Sequence, residues 1–171
     1  QEIFKNQIEA SVPLKKQLWQ QTIIEKITNQ GILLEKITGE KNSFDFIASK
    51  VLSGDTSNME ATAANIYWKA FFENSTFKKF KRERFGDYPN NFLNYGYAIL
   101  RAATARALSG SGLLNTLGIH HKSKYNAFAL ADDIMEPFRP MVDEKVFEII
   151  LRIGHLVLAA MWLVLTSLRK N

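Results

Sequence analysis

The chain contains no cysteine. That excludes disulfides, Cys-ligated zinc, iron–sulfur clusters and a thiol nucleophile. Only four prolines and nine glycines occur in 171 residues, so a proline-rich or collagen-like chain is excluded as well. Apolar residues make up 46% and charged residues 23%, an ordinary globular balance that leaves no room for a wholly disordered chain. The longest apolar run, Leu156 to Leu165, is ten residues, against the roughly 20 needed to cross a bilayer. Arg152 and His155 stop its extension towards Ile149, and the run reads as a buried or interface helix with no membrane role. No basic stretch followed by an apolar segment opens the chain, so a secretory signal is not expected. Three catalytic signatures are missing too: a phosphate-binding GxxxxGK[ST] loop, a GxGxxG helix start and a GxSxG elbow. P-loop, Rossmann and α/β-hydrolase chemistry are thereby disfavoured.

What is present is helix. About 150 residues per domain makes one domain the expectation for this length. Pro13 opens a helical pattern in which Leu14, Leu18, Trp19, Ile23, Ile27, Leu34 and Ile37 recur at steps of three and four, and Gly39 closes it. Short helical stretches are expected over 44–52 and 59–72, the second preceded by helix-capping residue types at 55–58. Pro89 starts another helix, and Ser109-Gly110-Ser111-Gly112 breaks it. Further helices are expected over 126–135 and 139–168, with Pro137 disturbing the backbone between them. Strand-like alternation is conceivable only between Glu2 and Ser11. The expected fold class is therefore all-α: a possible N-terminal stub at 1–11 and a helical domain over 12–171.

Charge supplies the functional hints. Twenty-two Lys and Arg oppose 17 Asp and Glu, a net +5 that permits nucleic acid or anionic lipid as a partner. The cations concentrate in Phe77–Phe85, where Lys78, Lys79, Lys81, Arg82 and Arg84 are interleaved with three phenylalanines. Cations give phosphate affinity and aromatics can stack on unpaired bases, although a solvated loop would look the same. Glu60 has Ala63, Ala64, Tyr67 and Phe71 as helical neighbours, which puts a carboxylate on an Ala-rich apolar face. Such a charge is either paired, metal-bound or simply a solvated first-turn Glu. Asp132, Asp133 and Glu136 form a second acidic group, readable as metal ligands or as a solvated helix end. His120 and His121 are adjacent, so at most one should point inward. One His with carboxylates from separate helices makes a mixed nitrogen and oxygen site suited to Mn²⁺ or Mg²⁺ and to phosphoryl chemistry.

Three segments, taken in order, resemble the CRISPR-associated spacer-acquisition integrase family (Cas-one). They are Met59-Glu60-Ala61-Thr62-Ala63-Ala64 with Ile66-Tyr67-Trp68; Pro89-Asn90-Asn91-Phe92-Leu93-Asn94-Tyr95-Gly96-Tyr97 continuing to Ala103; and Leu117-Gly118-Ile119-His120-His121 running through Tyr125-Asn126-Ala127-Phe128 to Asp132-Asp133-Ile134-Met135-Glu136-Pro137-Phe138-Arg139-Pro140. The third is long and similar to the version found beside Cas-nine effectors. The resemblance covers about residues 12–143. It implies a metal-dependent DNA endonuclease and integrase, active in the prokaryotic cytoplasm in antiviral defence. Each 3′-hydroxyl of a short DNA fragment would attack a phosphodiester of the CRISPR repeat. The implied catalytic and metal residues are Glu60, His121 and Glu136, with Asp133 as an auxiliary metal carboxylate and Mg²⁺ or Mn²⁺ as cofactor. His121 is preferred to His120 by counting back from Glu136. Lys124, Asn90 and Tyr97 fall at motif positions near the DNA or supporting the site, and join the basic loop as implied DNA-binding residues. Implied partners are protospacer and repeat DNA, the small dimeric Cas-two protein, and a second copy of the parent protein. Family members also carry an N-terminal β-rich dimerising domain, of which this sequence would hold at most residues 1–11. Two other readings remain: a helical nucleic-acid-binding module without catalysis, and a helix-bundle interaction protein docking through its apolar C-terminal helix.

Overall fold

The computed structural model describes residues 2–73, 77 and 80–168, with side chains in the last helix as far as residue 156 except 155. Lys78 and Lys79 of the basic loop, and the side chains of Leu158, Trp162, Leu163 and Leu165 in the apolar run, lie outside the described residues. Helices α1 (Glu2–Glu9), α2 (Val12–Thr38), α3 (Phe44–Ala48), α4 (Met59–Phe71), α5 (Asn90–Gly110), α6 (Ala129–Ile134) and α7 (Arg139–Leu168) follow one another, with 3₁₀ turns at Ser53–Asp55 and Glu136–Phe138. Among the described residues there is no strand, as an all-α fold requires. The stretch at 2–11 is helical, not extended. Its Ile3, Phe4 and Ile8 stand at steps fitting one helical side, and Gln7 ties it to the backbone of Leu114.

Helix α2 is the central pillar. Ser11 Oγ accepts from Leu14 N at 3.3 Å, Pro13 sits in the first turn where an N–H is dispensable, and Gly39 closes the helix at φ +74°. Its buried stripe of Trp19, Ile23, Ile27, Gly31 and Leu34 packs against α3, α4 and α7. Gly31 is required at the α3 crossing, where an added Cβ would stand 2.6 Å from Phe44 Cβ. Tyr67 packs on Phe71, Phe71 meets Phe147 edge-on, and Phe72, just past α4, packs on Phe80, so the basic loop and α7 share one aromatic core.

Local chemistry explains the element ends near the site. Asp55 caps α4: its carboxylate accepts from Met59 N at 2.9 Å and Glu60 N at 3.0 Å, fixing where Glu60 leaves the backbone. Helix α6 begins at Ala129, three residues later than Asn126 predicts, because Asn126 Oδ1 accepts from Phe128 N and holds a turn instead. Pro137 is accommodated in the 3₁₀ turn that separates α6 from α7 and carries Glu136. Among the described residues no helix is long and apolar enough to cross a membrane.

Candidate metal centre and nucleic-acid cleft

Two carboxylates meet on one largely covered cation, whose side chain is 12% exposed. Lys26 Nζ, projecting from α2, stands 2.7 Å from Glu60 Oε1 and 2.6 Å from Glu136 Oε2. Glu136 is buried, and its second oxygen pairs with Arg139 Nη2 at 2.9 Å. The contact of Lys26 with Glu136 Oε2 is an ion pair without hydrogen-bond alignment, which leaves that buried oxygen without a hydrogen-bond donor. Burial lowers the Lys26 pKa, but the charges of Glu136 and Glu60 outweigh it, and the net shift is upward.

Behind this trio lies a second buried carboxylate, Asp143 of α7. The hydroxyls of Tyr67 and Tyr97 both donate to it, Tyr67 at 2.8 Å. Burial pushes its pKa up to about 6, against the pull of the two tyrosines, Arg139 and Lys26. The Arg139 guanidinium also lies over the Tyr97 ring, 4.6 Å from its centre. Lys26, Glu60, Glu136, Arg139, Tyr97, Asp143 and Tyr67 thus form one continuous polar seam joining α2, α4, α5 and α7.

Asp133 organises the His loop. It is fully buried and accepts from Ile119 N (2.5 Å), His120 N (2.9 Å) and His121 N (3.2 Å). Gly118 permits this wrapping, since a Cβ there would come 2.9 Å from Asp133 Oδ2 and collide with the His121 carbonyl. His121 Nδ1 lies 2.6 Å from Asp133 Oδ1. A carboxylate only accepts, so Nδ1 carries the proton and Nε2 is left as the basic nitrogen. The hydrogen bond to Asp133 raises the His121 pKa against the opposing effect of burial. A ligating His most often has this backing, with its far N–H on a carboxylate. His120 instead lies flat on Trp19, ring centres 4.2 Å apart and planes 6° from parallel.

His121 also lines a cleft of about 870 Å³ whose walls include Arg82, Arg84, Arg101 and Arg139, with Asp132 as the acidic member. Arg82 is pinned by Asn90 Oδ1 (2.9 Å) and Asn94 Oδ1 (2.5 Å) and lies over Tyr97. Arg84 stands over Phe85. Arg101 forks onto Asp132, its Nε 2.8 Å and Nη2 3.1 Å from the carboxylate oxygens. Tyr125 and Phe85, 85% and 92% exposed, offer stacking faces at the rim.

The residues singled out from sequence fall into distinct places. Glu60 and Glu136 come together on Lys26, and His121 opens into the cleft. Asp133 spends both oxygens on the His loop and stands behind His121. Asn90 is buried, accepting from Glu83 N and Arg82 and donating to the Lys81 carbonyl, so it holds the basic loop in shape. Tyr97 is mostly buried, its ring under Arg82 and Arg139. Lys81 pairs with Glu83 at 3.0 Å in solvent, and Lys124 lies over Tyr125. Among the described residues no group of three His, Asp or Glu side chains is arranged to hold a metal ion. Sequence reasoning missed Lys26, Arg139 and Asp143. A signal existed: Lys26 shares the buried stripe of Ile23 and Gln30, and Asp143 that of Val146 and Ile150.

The donor set nevertheless suits a divalent cation. Two carboxylates from separate elements already share one monovalent cation, an imidazole with a fixed tautomer stands on the neighbouring loop, and oxygen with nitrogen is the chemistry that Mn²⁺ or Mg²⁺ takes. Lys26 Nζ fills the place between the carboxylates that such an ion would share or take.

Known proteins resemble the chain in sequence and in fold. Residues 2–153 match the family model described as CRISPR associated protein Cas1. The chain is 44% identical over 149 residues to "CRISPR-associated endonuclease Cas1" of Neisseria meningitidis serogroup C (strain 8013), covering 86% of this chain and 47% of that protein. It is 33% identical over 125 residues to "CRISPR-associated endonuclease Cas1 2" of Pyrobaculum aerophilum, covering 72% of this chain and 41% of the relative. The chain therefore spans about half the length of the curated relatives it matches. Its fold superposes with a TM-score of 0.75 on a casposase bound to integration product, at 25% identity over 88% of this chain and 47% of the other. A Cas1 protein from Thermotoga maritima gives the same TM-score at 19% identity, covering 86% of this chain and 52% of that one, a likeness of fold.

Proposed function

The chain belongs to the CRISPR-associated Cas1 family, and from that premise we propose that it is the helical catalytic part of a metal-dependent DNA endonuclease and integrase. The substrates proposed are a short DNA fragment and the CRISPR repeat. A 3′-hydroxyl attacks a repeat phosphodiester and a new 3′-hydroxyl leaves, so one phosphodiester replaces another without nucleotide hydrolysis. The observation carrying this reading is the convergence of Glu60 and Glu136 on one cation.

In this reading Glu60, Glu136 and Nε2 of His121 hold a Mg²⁺ or Mn²⁺ ion. Bound there, such an ion supplies positive charge to a phosphate oxygen and acidifies the attacking hydroxyl. The chain's own residues do the rest. Arg84, Arg101 and Arg139 hold backbone phosphates in the cleft. Asn90 and Asn94 keep Arg82 aimed at it. Asp133 fixes the His121 tautomer and makes its free nitrogen more basic. Asp143, through Tyr97, steadies Arg139 and so Glu136. The Cas-two protein and a second copy of the parent are the proposed partners, the β-rich dimerising domain is proposed to belong to the parent beyond the segment matched here, and the prokaryotic cytoplasm is the proposed site of action.

The test is Mn²⁺-dependent nicking and strand transfer on a branched DNA by the chain and by Glu60→Ala, alongside DNA binding by each. The expected result is Mn²⁺-dependent product from the chain, none from the variant, and comparable binding by both. A second reading, DNA binding without catalysis, draws on Lys26, whose ammonium already neutralises the two carboxylates. It gains if DNA binds with salt sensitivity and Mn²⁺ changes nothing.

A further inference from the structure

The His loop is a wall with two sides. His121 and Ser123 face the Arg-lined cleft, whereas Ile119, His120 and Lys122 line a separate pocket of about 270 Å³. The opposite wall of that pocket is the start of α2, with Lys15, Lys16 and Trp19. Its floor is rigid: Trp19 is buried, and His120 lies flat on it with its own backbone N–H held by Asp133. Three lysines and a histidine line this space, and no Asp or Glu does. None of the three lysines forms an ion pair with an acidic group among the described residues, although Lys26, Lys36, Lys81 and Lys145 all do. The nearby Asp55 carboxylate is committed to capping α4. Gathering like charges around an acid-free cavity costs free energy unless an anion completes it.

We propose that this pocket binds a backbone phosphate of the DNA strand that passes the His loop, next to the phosphates held by the arginines of the cleft. The inference rests on the DNA-binding reading above and adds a site to it. Adjacent His residues give the loop one ring on each side, their centres 5.7 Å apart, so a strand crossing the loop meets both basic surfaces in succession. The pocket then fixes the strand on one side of the reacting phosphate while the arginines fix the other. Lysine suits this role as a flexible point charge tolerant of backbone geometry.

The probe is a fluorescent branched DNA, its affinity measured by anisotropy across a potassium chloride series. Three variants are compared with the unmodified chain: Lys15→Gln/Lys16→Gln/Lys122→Gln in the pocket, Lys5→Gln/Lys41→Gln/Lys50→Gln as a charge-matched control elsewhere, and Arg84→Gln/Arg101→Gln in the cleft. The pocket variant is expected to flatten the slope of log affinity against log salt by about 0.7 to 0.9, the amount that corresponds to one phosphate no longer neutralised. The control should leave the slope unchanged. Equal slopes for pocket and control variants, with the cleft variant reduced, would overturn the pocket while leaving the DNA reading intact. An unchanged slope in the cleft variant would instead sink the DNA reading. Should the triple pocket variant fail to fold, as judged by circular dichroism, Lys122→Glu alone on the exposed loop must weaken binding more than Lys41→Glu, or the proposal fails.

Discussion

Replacing Lys26 by Met tests the polar seam most directly. The side chain keeps its length and loses its charge, so packing is nearly conserved while Glu60 and Glu136 face each other across the seam with no cation between them. Removing one partner of a buried ion pair costs roughly 3–5 kcal/mol, because a desolvated charge is left behind. Glu136 retains Arg139, and the Glu60 side chain is 31% exposed, so solvent screens part of the repulsion. The lower end of the range, about 3 kcal/mol, is therefore expected at neutral pH. For a chain of this size that is a fall in Tm of roughly 6–12 °C.

The assay is urea and thermal unfolding of the chain and of Lys26→Met at neutral and mildly acidic pH. The deficit should shrink at acidic pH as a carboxylate takes up a proton, and Lys26→Met/Glu136→Gln should recover part of it. In the unmodified chain the raised Lys26 pKa means that the pair's contribution is complete below the ordinary lysine value and is lost only as pH climbs through the raised one. A further readout separates structure from function. With the ammonium gone, two carboxylates are free to share a divalent ion, so Mn²⁺ should raise the Tm of Lys26→Met more than that of the unmodified chain. A loss below about 1 kcal/mol would show that the seam is solvated like an exposed ion pair and refute its description as buried. An equal Mn²⁺ shift in both proteins would remove the carboxylate pair as the place where a cation goes.

Asp143 gives a pH signature of the same sign in a more acidic window. Its folded pKa of about 6 lies above the ordinary 3.8, so the native state binds the extra proton and stability falls as pH rises between those values, by about 3 kcal/mol in all. Asp143→Asn should remove that slope in urea titrations at graded pH, and an identical pH profile for both proteins would contradict it. Asp133→Asn should lower the His121 pKa followed by NMR and destabilise by about 2–3 kcal/mol, since an amide cannot accept all four bonds that the carboxylate now takes. An unshifted His121 titration would rule out Asp133 as its positioning partner.

Much of the fold was legible because helix ends are written locally. Pro13 and Gly39 bracket α2, and Pro89 directly precedes α5. The Ser109–Gly112 break follows within a residue or two of expectation. Where boundaries slipped, a side chain had taken over a backbone role: Asn126 holds a turn where periodicity alone would start α6. At the other extreme, the short stretch 2–11 carried too few residues to tell a two-residue period from a helical one, and docking through Gln7 accompanies its helix.

The site was half legible, and the division has a physical basis. Glu60, His121 and Glu136 belong to segments whose residue order could be read as motifs. Lys26 and Asp143 have no such context. Each is the one charged residue on a largely apolar stripe, and a stripe reports a buried face without reporting what the charge on it meets. Lys26 is explained only once α4 and the 3₁₀ turn bring Glu60 and Glu136 to it, and Asp143 only once α4 and α5 deliver two tyrosine hydroxyls. Both are long-range pairings, 34 residues for Lys26 with Glu60 and 76 for Tyr67 with Asp143. A lone charge on a helical apolar face is thus a pointer to a partner far away in sequence. The same stripe of α2 also buries a neutral polar side chain, Gln30, whose Oε1 has no hydrogen-bond partner. Its Leu variant should be neutral or stabilising in urea unfolding, because an unmet buried acceptor costs free energy that an apolar group of similar size does not.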